Sequence, residues 1–341
     1  MKKDINWINA VKALCMIMVY VVHGMFYYGV FCHDVALFMH PVYVNAFFFV
    51  SGYLMFRKQL SLPVIDESRA TYLSDGGTGR NTLANIVFRM WIPALLFSFV
   101  SFIPKKLLKG GTADMGSFLF ETFGGGTYWF VSALILCQIA IVALLSTRQR
   151  SVWFYFVIMS LMAVAGTVAL PFYGDSLDYY AYQLSPLCMA FLALGALYWR
   201  YEPIFNRFRV WHVAVLAAAY ITFFVILADD AKVLINMKQF NFTGFLGSAI
   251  GCLLMVEVCK RLPRMRLLTF IGTNSIVFYF LSGAVPVVVN VLFKRLSPVP
   301  GTADFLLYLV ACVALASAIT YVIQRFLPFL TDLRKVKKMN D

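Results

Sequence analysis

Three ionisable side chains, Lys12, His23 and Arg89, stand inside apolar stretches of the sequence. At a helix centre in a bilayer such groups cost about 2.5 to 3.5 kcal/mol each by insertion scales, so a chain that keeps them needs a reason. At about 100° per residue, Asn9, Lys12, Met16 and His23 fall on one stripe of a helix. Lys12 and His23 are then about three turns, or about 16 Å, apart along the axis. Histidine suits general base work, because near neutral pH its neutral imidazole accepts a proton from a hydroxyl nucleophile, a role worth about 10² to 10⁴ in rate. The plainer account of the pair is a lysine that snorkels to the headgroups and a histidine that hydrogen-bonds a neighbouring helix.

The elements that position these residues follow from composition. Of 341 residues, 61% are hydrophobic and only 13% charged, where a soluble domain carries about a quarter charged residues. Apolar runs of about 17 to 25 residues recur along the chain, each long enough for a helix across about 30 Å of hydrocarbon. We expect an all-α integral membrane protein, a single domain over 1–341 that forms a polytopic bundle of about ten transmembrane helices. The spans fall at roughly 8–30, 36–56, 84–104, 127–146, 152–172, 182–199, 210–228, 241–259, 267–293 and 304–325.

With both termini inside, twenty Lys and Arg residues lie in inner segments and seven in outer ones, the bias of cytoplasmic loops. The expected location is the cytoplasmic (inner) membrane. The net charge of +13 is parcelled out between apolar runs, which argues against a nucleic-acid face. The seven cysteines show no CxxC spacing and no metal-ligand cluster, so they are expected to pack helices and no metal is expected. The first apolar run contains Lys12 and ends in aromatics, unlike a cleaved signal peptide.

Several features have ordinary structural explanations. The stretch Asp75-Gly76-Gly77-Thr78-Gly79 and the cluster Gly124-Gly125-Gly126 are expected to be turns, since neither lies between a strand and a helix as a nucleotide loop requires. Glu257 lies near the inner end of its span, within reach of Lys260. The run Phe47-Phe48-Phe49-Val50-Ser51-Gly52-Tyr53 joins aromatics to a small pair that lets backbones approach closely. Ser51 is expected to serve packing and local backbone bonding rather than nucleophilic attack. His33 and His40 belong near the outer ends of their spans, and His212 at an inner edge.

The pattern Asn9-x2-Lys12-x10-His23, then FFFVSGYL at 47–54, then Arg89-x3-Pro93, resembles the membrane acyltransferase-3 family, within it the sugar O-acetylase branch that includes fucose 4-O-acetylase-like proteins. Trp129-Phe130, Leu194-Gly195-Ala196-Leu197-Tyr198 and Phe270-Ile271-Gly272-Thr273-Asn274-Ser275 agree in order. The resemblance spans nearly the whole chain. It implies a bundle of about ten helices that takes an acetyl-type group from cytoplasmic acyl-CoA, as donor substrate, to a hydroxyl of an extracytoplasmic or lipid-linked carbohydrate. It also implies that His23 is the catalytic residue, that Lys12 stands at the donor entrance, and that Arg89 contacts phosphate; Arg80 is a further candidate donor contact.

Asn9, Ser51, Trp129, Asn274 and Ser282 are the expected supporting residues. Asn9 stands where the family commonly has an aspartate, which leaves at most a hydrogen bond to Lys12. Ser282 occupies a place where the ninth span of relatives commonly carries a histidine.

A different class, a transporter or flippase for a small solute or glycolipid, would use intramembrane charges to mark a substrate path. The sequence shows no inverted repeat or paired broken helices to favour it. Bis-histidine haem ligation is disfavoured, since only His23 is expected deep within a span.

Overall fold

In hydrocarbon each main-chain N–H and C=O must find a partner within the protein, so apolar runs of this length fold as helices. The computed structural model describes residues 6–30, 32–61, 64, 66–108, 114–123, 127–173, 180–227, 242–296 and 302–335, and every regular element among them is helical. The helices are α1 (Asn6–Tyr28), α2 (His33–Gln59), α3 (Arg69–Leu73), α4 (Thr78–Ile86), a π-helical turn (Val87–Trp91), α5 (Ile92–Leu108) and α6 (Met115–Phe123). They continue as α7 (Trp129–Leu145), α8 (Val152–Ala169), α9 (Tyr180–Phe205), α10 (Val210–Leu227) and α11 (Phe242–Cys259). The last are α12 (Arg266–Thr273), α13 (Ser275–Leu281), α14 (Val285–Leu296) and α15 (Thr302–Phe326).

Helices cover the ten expected segments. Among the described residues, six stretches are long and apolar enough to cross a bilayer: Asn6–Tyr28, His33–Gln59, Arg69–Phe102, Val152–Tyr173, Ala181–Phe205 and Ala303–Phe326. Trp129–Leu145, Val210–Val225 and Thr243–Cys259 are apolar but shorter. The protein is therefore a multi-pass membrane protein. The expected continuous helix over 267–293 is instead three pieces, with α13 and α14 bent by 52°.

The chain forms two compact units, the first from Met1–Phe47, Val215–Ile235 and Leu246–Thr331, the second from the remainder. In the first unit α1 packs against α12, α13, α14 and α15. Its Val11, Ala13, Cys15, Met16, Val19, Tyr20 and Tyr28 are buried, and Tyr28 stacks on Tyr308 with ring centroids 4.8 Å apart. The Tyr220 hydroxyl donates to the Phe38 carbonyl at 2.6 Å, and Asn45 donates through Nδ2 to Ser248 Oγ at 3.2 Å. Near the end of α11, Glu257 is 1% exposed and is held by Lys260 at 3.3 Å and by Arg261 at 2.8 Å.

In the second unit α9 packs on α7 and α8. The FFFVSGYL and LGALY motifs prove to be two sides of one helix crossing. A Cβ on Gly52 would collide with the main chain of Leu192, and one on Gly195 with the Phe49 carbonyl oxygen and Tyr53 nitrogen. Glycine is what lets the backbones of α2 and α9 touch. Tyr198 then packs against the rings of Phe49 and Tyr53, 5.4 and 6.1 Å away, and Tyr53 donates its hydroxyl proton to Glu202 at 3.0 Å.

The first part of the Asp75–Gly79 stretch is a turn, as expected, and Thr78 and Gly79 open α4: Gly76 has φ +80°, a left-handed conformation that suits glycine, and Gly77 abuts the Thr71 carbonyl. The second glycine cluster, 124–126, lies outside the described residues. Of the cysteines, Cys15, Cys137, Cys188, Cys252, Cys259 and Cys312 are buried and Cys32 is exposed, the distribution of packing residues.

Candidate active site

Five of the expected site residues, Asn9, Lys12, His23, Asn274 and Ser282, belong to the first unit. All but Ser282 are half-buried; Ser282 is buried. The apolar length of α1 makes it a helix, and its tight packing on α12 fixes its register. A Cβ on Gly272 would overlap the carbonyl of Asn9, which explains the glycine of the Phe270–Ser275 motif and assigns to Asn9 a main-chain packing contact. Asn274 caps the break between α12 and α13 by donating Nδ2 to the Phe270 carbonyl at 2.9 Å.

His23 Nδ1 lies 3.1 Å from the main-chain oxygen of Ser282. A carbonyl only accepts, so Nδ1 carries the proton and Nε2 keeps its lone pair. Nε2 has no hydrogen-bond partner among the described residues. Ser282 thus enters the site through its backbone; its hydroxyl turns inward to the Tyr279 carbonyl at 2.8 Å.

The broken helix that supplies this carbonyl is stitched to its neighbours. From α1, the Tyr20 hydroxyl donates to the Phe278 carbonyl at 3.1 Å. From α14, Asn290 donates to the Tyr27 carbonyl at 2.9 Å. From α15, the Tyr308 hydroxyl reaches the Pro286 carbonyl at 2.8 Å. At the break itself the Phe278, Ser282 and Pro286 carbonyls each meet a protein side chain, where a transporter's broken helix would offer such carbonyls to an ion.

Lys12 has neither an ion pair nor a hydrogen bond among the described residues. His40, on α2, shares a 3.1 Å hydrogen bond with the Tyr43 hydroxyl through Nδ1. His212 accepts from the Arg209 N–H at 2.9 Å and stacks on Phe208, a structural arrangement.

Arg80, Arg89, Ser51 and Trp129 belong to the second unit. Arg89 lies in the π-helical turn, where the Ile92 N–H reaches back five residues to the Val87 carbonyl. Pro93 has no N–H for the Arg89 carbonyl, so the Arg-x3-Pro spacing coincides with a widened helix. Arg89 donates from Nε to Asp332 Oδ2 at 2.8 Å. The carboxylate also receives Arg334, through Nε to Oδ1 at 2.9 Å and Nη2 to Oδ2 at 2.9 Å. The Arg334 hydrogen bonds, with that of Arg89 behind them and partly offset by burial, hold the Asp332 carboxyl well below the usual carboxylate range. The Arg89 side chain as a whole is 62% exposed.

Arg80 is paired with Asp75 at 2.5 Å on the surface, both side chains exposed. Ser51 has no hydrogen-bond partner among the described residues, and Trp129 packs on the apolar cluster of Leu170, Leu184 and Leu187. Both serve packing. Sequence reasoning missed Asp332, an acid within a basic terminal segment, and Tyr20, which gave no signal beyond its place on α1.

Lys12 and His23 thus lie on one apolar helix of a multi-pass membrane protein, the lysine without an ion pair among the described residues and the imidazole oriented by a main-chain carbonyl. A family model described as an acyltransferase domain matches residues 5–323. The chain belongs to the acyltransferase-3 family and is an acyltransferase. Neither curated proteins nor solved structures give a match.

Proposed function

We propose that this membrane acyltransferase moves an acetyl-type group from cytoplasmic acyl-CoA to a hydroxyl of an extracytoplasmic or lipid-linked carbohydrate, as an enzyme of the cytoplasmic membrane with ten spans and both termini inside. The observation that carries the mechanism is the 3.1 Å bond from His23 Nδ1 to the Ser282 carbonyl, which leaves Nε2 ready to accept a proton. His23 Nε2 takes the proton of the acceptor hydroxyl as its oxygen attacks the thioester carbonyl. The carbon–oxygen bond forms, the carbon–sulfur bond breaks, and the imidazolium returns the proton to the departing CoA thiolate.

Lys12, with no counter-ion among the described residues, offers one contact for the donor's phosphates. Arg89, with an exposed side chain and its Nε anchored by Asp332, offers another. Arg80 is the weaker third candidate because Asp75 already neutralises it. The excess of Lys and Arg in the inner segments supports a cytoplasmic donor, and the sugar O-acetylase resemblance supports a carbohydrate acceptor.

The test is mass spectrometry of surface polysaccharides and glycolipids from cells with the gene deleted, restored, or restored as His23→Ala at matched membrane levels. An acyl mass that vanishes on deletion and returns only with the wild-type copy supports the proposal. Identical acylation in all three strains excludes carbohydrate as the acceptor.

A further inference from the structure

The carbonyl that orients His23 is free for a reason written into the sequence four residues later. In an uninterrupted α-helix the Ser282 oxygen would accept the N–H of residue 286. Residue 286 is proline, which has no N–H to give. At the same break the Ser282 N–H turns back to the Tyr279 carbonyl at 3.1 Å, a shorter loop than the α-helical one. The Phe278 oxygen, which that N–H would otherwise serve, is taken by Tyr20. One interruption thus frees two carbonyls, and α1 fills both with side chains three residues apart, Tyr20 and His23. The Tyr308 hydroxyl holds the far side of the break through the Pro286 carbonyl.

We infer that Pro286 is a positioning residue for His23: by withholding a main-chain proton it reserves the Ser282 carbonyl for Nδ1–H and so keeps the lone pair on Nε2. The catalytic consequence rests on the proposed role of His23 as the base. In hydrolases that use a histidine base a buried carboxylate commonly does this work; here a main-chain oxygen does it. The difference matters in a bilayer, where a carbonyl brings no charge to be desolvated. Hydrogen bonding by the second ring nitrogen decides which tautomer is present, so the proline acts on the chemistry through a residue it does not touch in sequence.

The test compares wild-type protein, Pro286→Ala, and a variant with lactic acid at 286, which has alanine's side chain but a main-chain ester in place of the N–H. Each full chain is placed in lipid nanodiscs with ¹⁵N-labelled histidine, the His23 signals being assigned by difference from His23→Gln. The wild type should show one His23 tautomer with the proton on Nδ1. Pro286→Ala should show a mixture, and the ester variant should return to the wild-type spectrum. In vesicles supplied with acetyl-CoA, Pro286→Ala should transfer about five- to tenfold more slowly at unchanged KM, the effect of losing one orienting hydrogen bond, and the ester variant should recover. A purely structural role for the proline would leave the ester no better than alanine.

Retention of the Nδ1–H tautomer in folded Pro286→Ala, or failure of the ester to restore it, overturns the inference. If the spectra behave as expected while His23→Gln transfers at the wild-type rate, the positioning stands and the catalytic role of His23 falls.

Discussion

Arg89 and Asp332, 243 residues apart in sequence, meet through a 2.8 Å hydrogen bond from Nε to Oδ2. The carboxylate is only 7% exposed whereas the arginine side chain is 62% exposed, so the acid anchors one edge of the guanidinium and leaves the other free. Arg334, two residues on, closes both oxygens of the same carboxylate. This binds the segment after α15 to the π-helical turn by charge-assisted contacts, the stronger class of hydrogen bond.

Asp332→Ala is expected to cost about 1 to 3 kcal/mol, discounted for the exposure of Arg89, because two arginines lose their acceptor. Thermal unfolding in detergent measures this. The pH dependence has a definite sign. A carboxyl whose folded pKa is depressed contributes stability that is fully present above its unfolded value, about 4, and is lost as pH falls towards the folded value. Stability attributable to Asp332 should be flat from pH 5 to 8 by this linkage and decline only below about 4. Asp332→Asn should remove that acid-side decline.

The three candidate donor contacts should separate by their surroundings. Lys12→Met removes a charge that has no partner among the described residues, and Arg89→Ala removes a half-anchored one. Each should raise the KM for acetyl-CoA by about tenfold, the loss of one charge-assisted contact of about 1.5 kcal/mol. Arg80→Ala breaks only an exposed pair with Asp75 and should shift KM by less than about twofold. Initial rates against acetyl-CoA concentration in membrane vesicles distinguish these outcomes.

The FFFVSGYL motif should behave as a packing element. Gly195→Ala places a Cβ on the Phe49 carbonyl and should cost about 3 kcal/mol or prevent folding, since backbone cannot yield as a side chain does. Ser51→Ala, which sacrifices no hydrogen bond to a described residue, should leave folding and transfer within about twofold. Size-exclusion profiles in detergent, followed by transfer rates, check the pair.

Tyr20→Phe leaves the Phe278 carbonyl without its donor. The expected loss is about 1 kcal/mol, in keeping with interhelical hydrogen bonds in membranes. The His23 bond to Ser282, one turn away, should persist, so stability should fall more than transfer does. Parallel Tm and rate measurements test that ordering.

Much of this architecture is legible in the residues. Hydropathy places the helices because every peptide group in lipid needs an internal partner, and the stripe of Lys12 and His23 follows from the helical period. The motifs at 47–54 and 194–198 can each be recognised, but their joining at Gly52 and Gly195 depends on a helix crossing that local sequence does not encode. The break at Ser282 escapes a hydropathy window because Pro286 sits among Val285, Val287, Val288 and Val289, where mean apolarity stays high while one N–H is missing. Asp332 escapes for another reason: in a basic segment it looks like a local counter-ion, and only the fold brings it to Arg89.

The proposed transfer from acyl-CoA depends most on His23 Nε2 as its base. The direct measurement uses sealed vesicles of both orientations, given acetyl-CoA radiolabelled in the acetyl group, with wild-type protein or His23→Ala at equal abundance. Label should pass to carbohydrate only when acetyl-CoA meets the cytoplasmic face. His23→Ala should lower the rate at least about 100-fold, the scale of general base catalysis, while acetyl-CoA still binds. Equal labelling by wild type and His23→Ala would contradict the central role of His23, and labelling from the outer face alone would contradict a cytoplasmic donor.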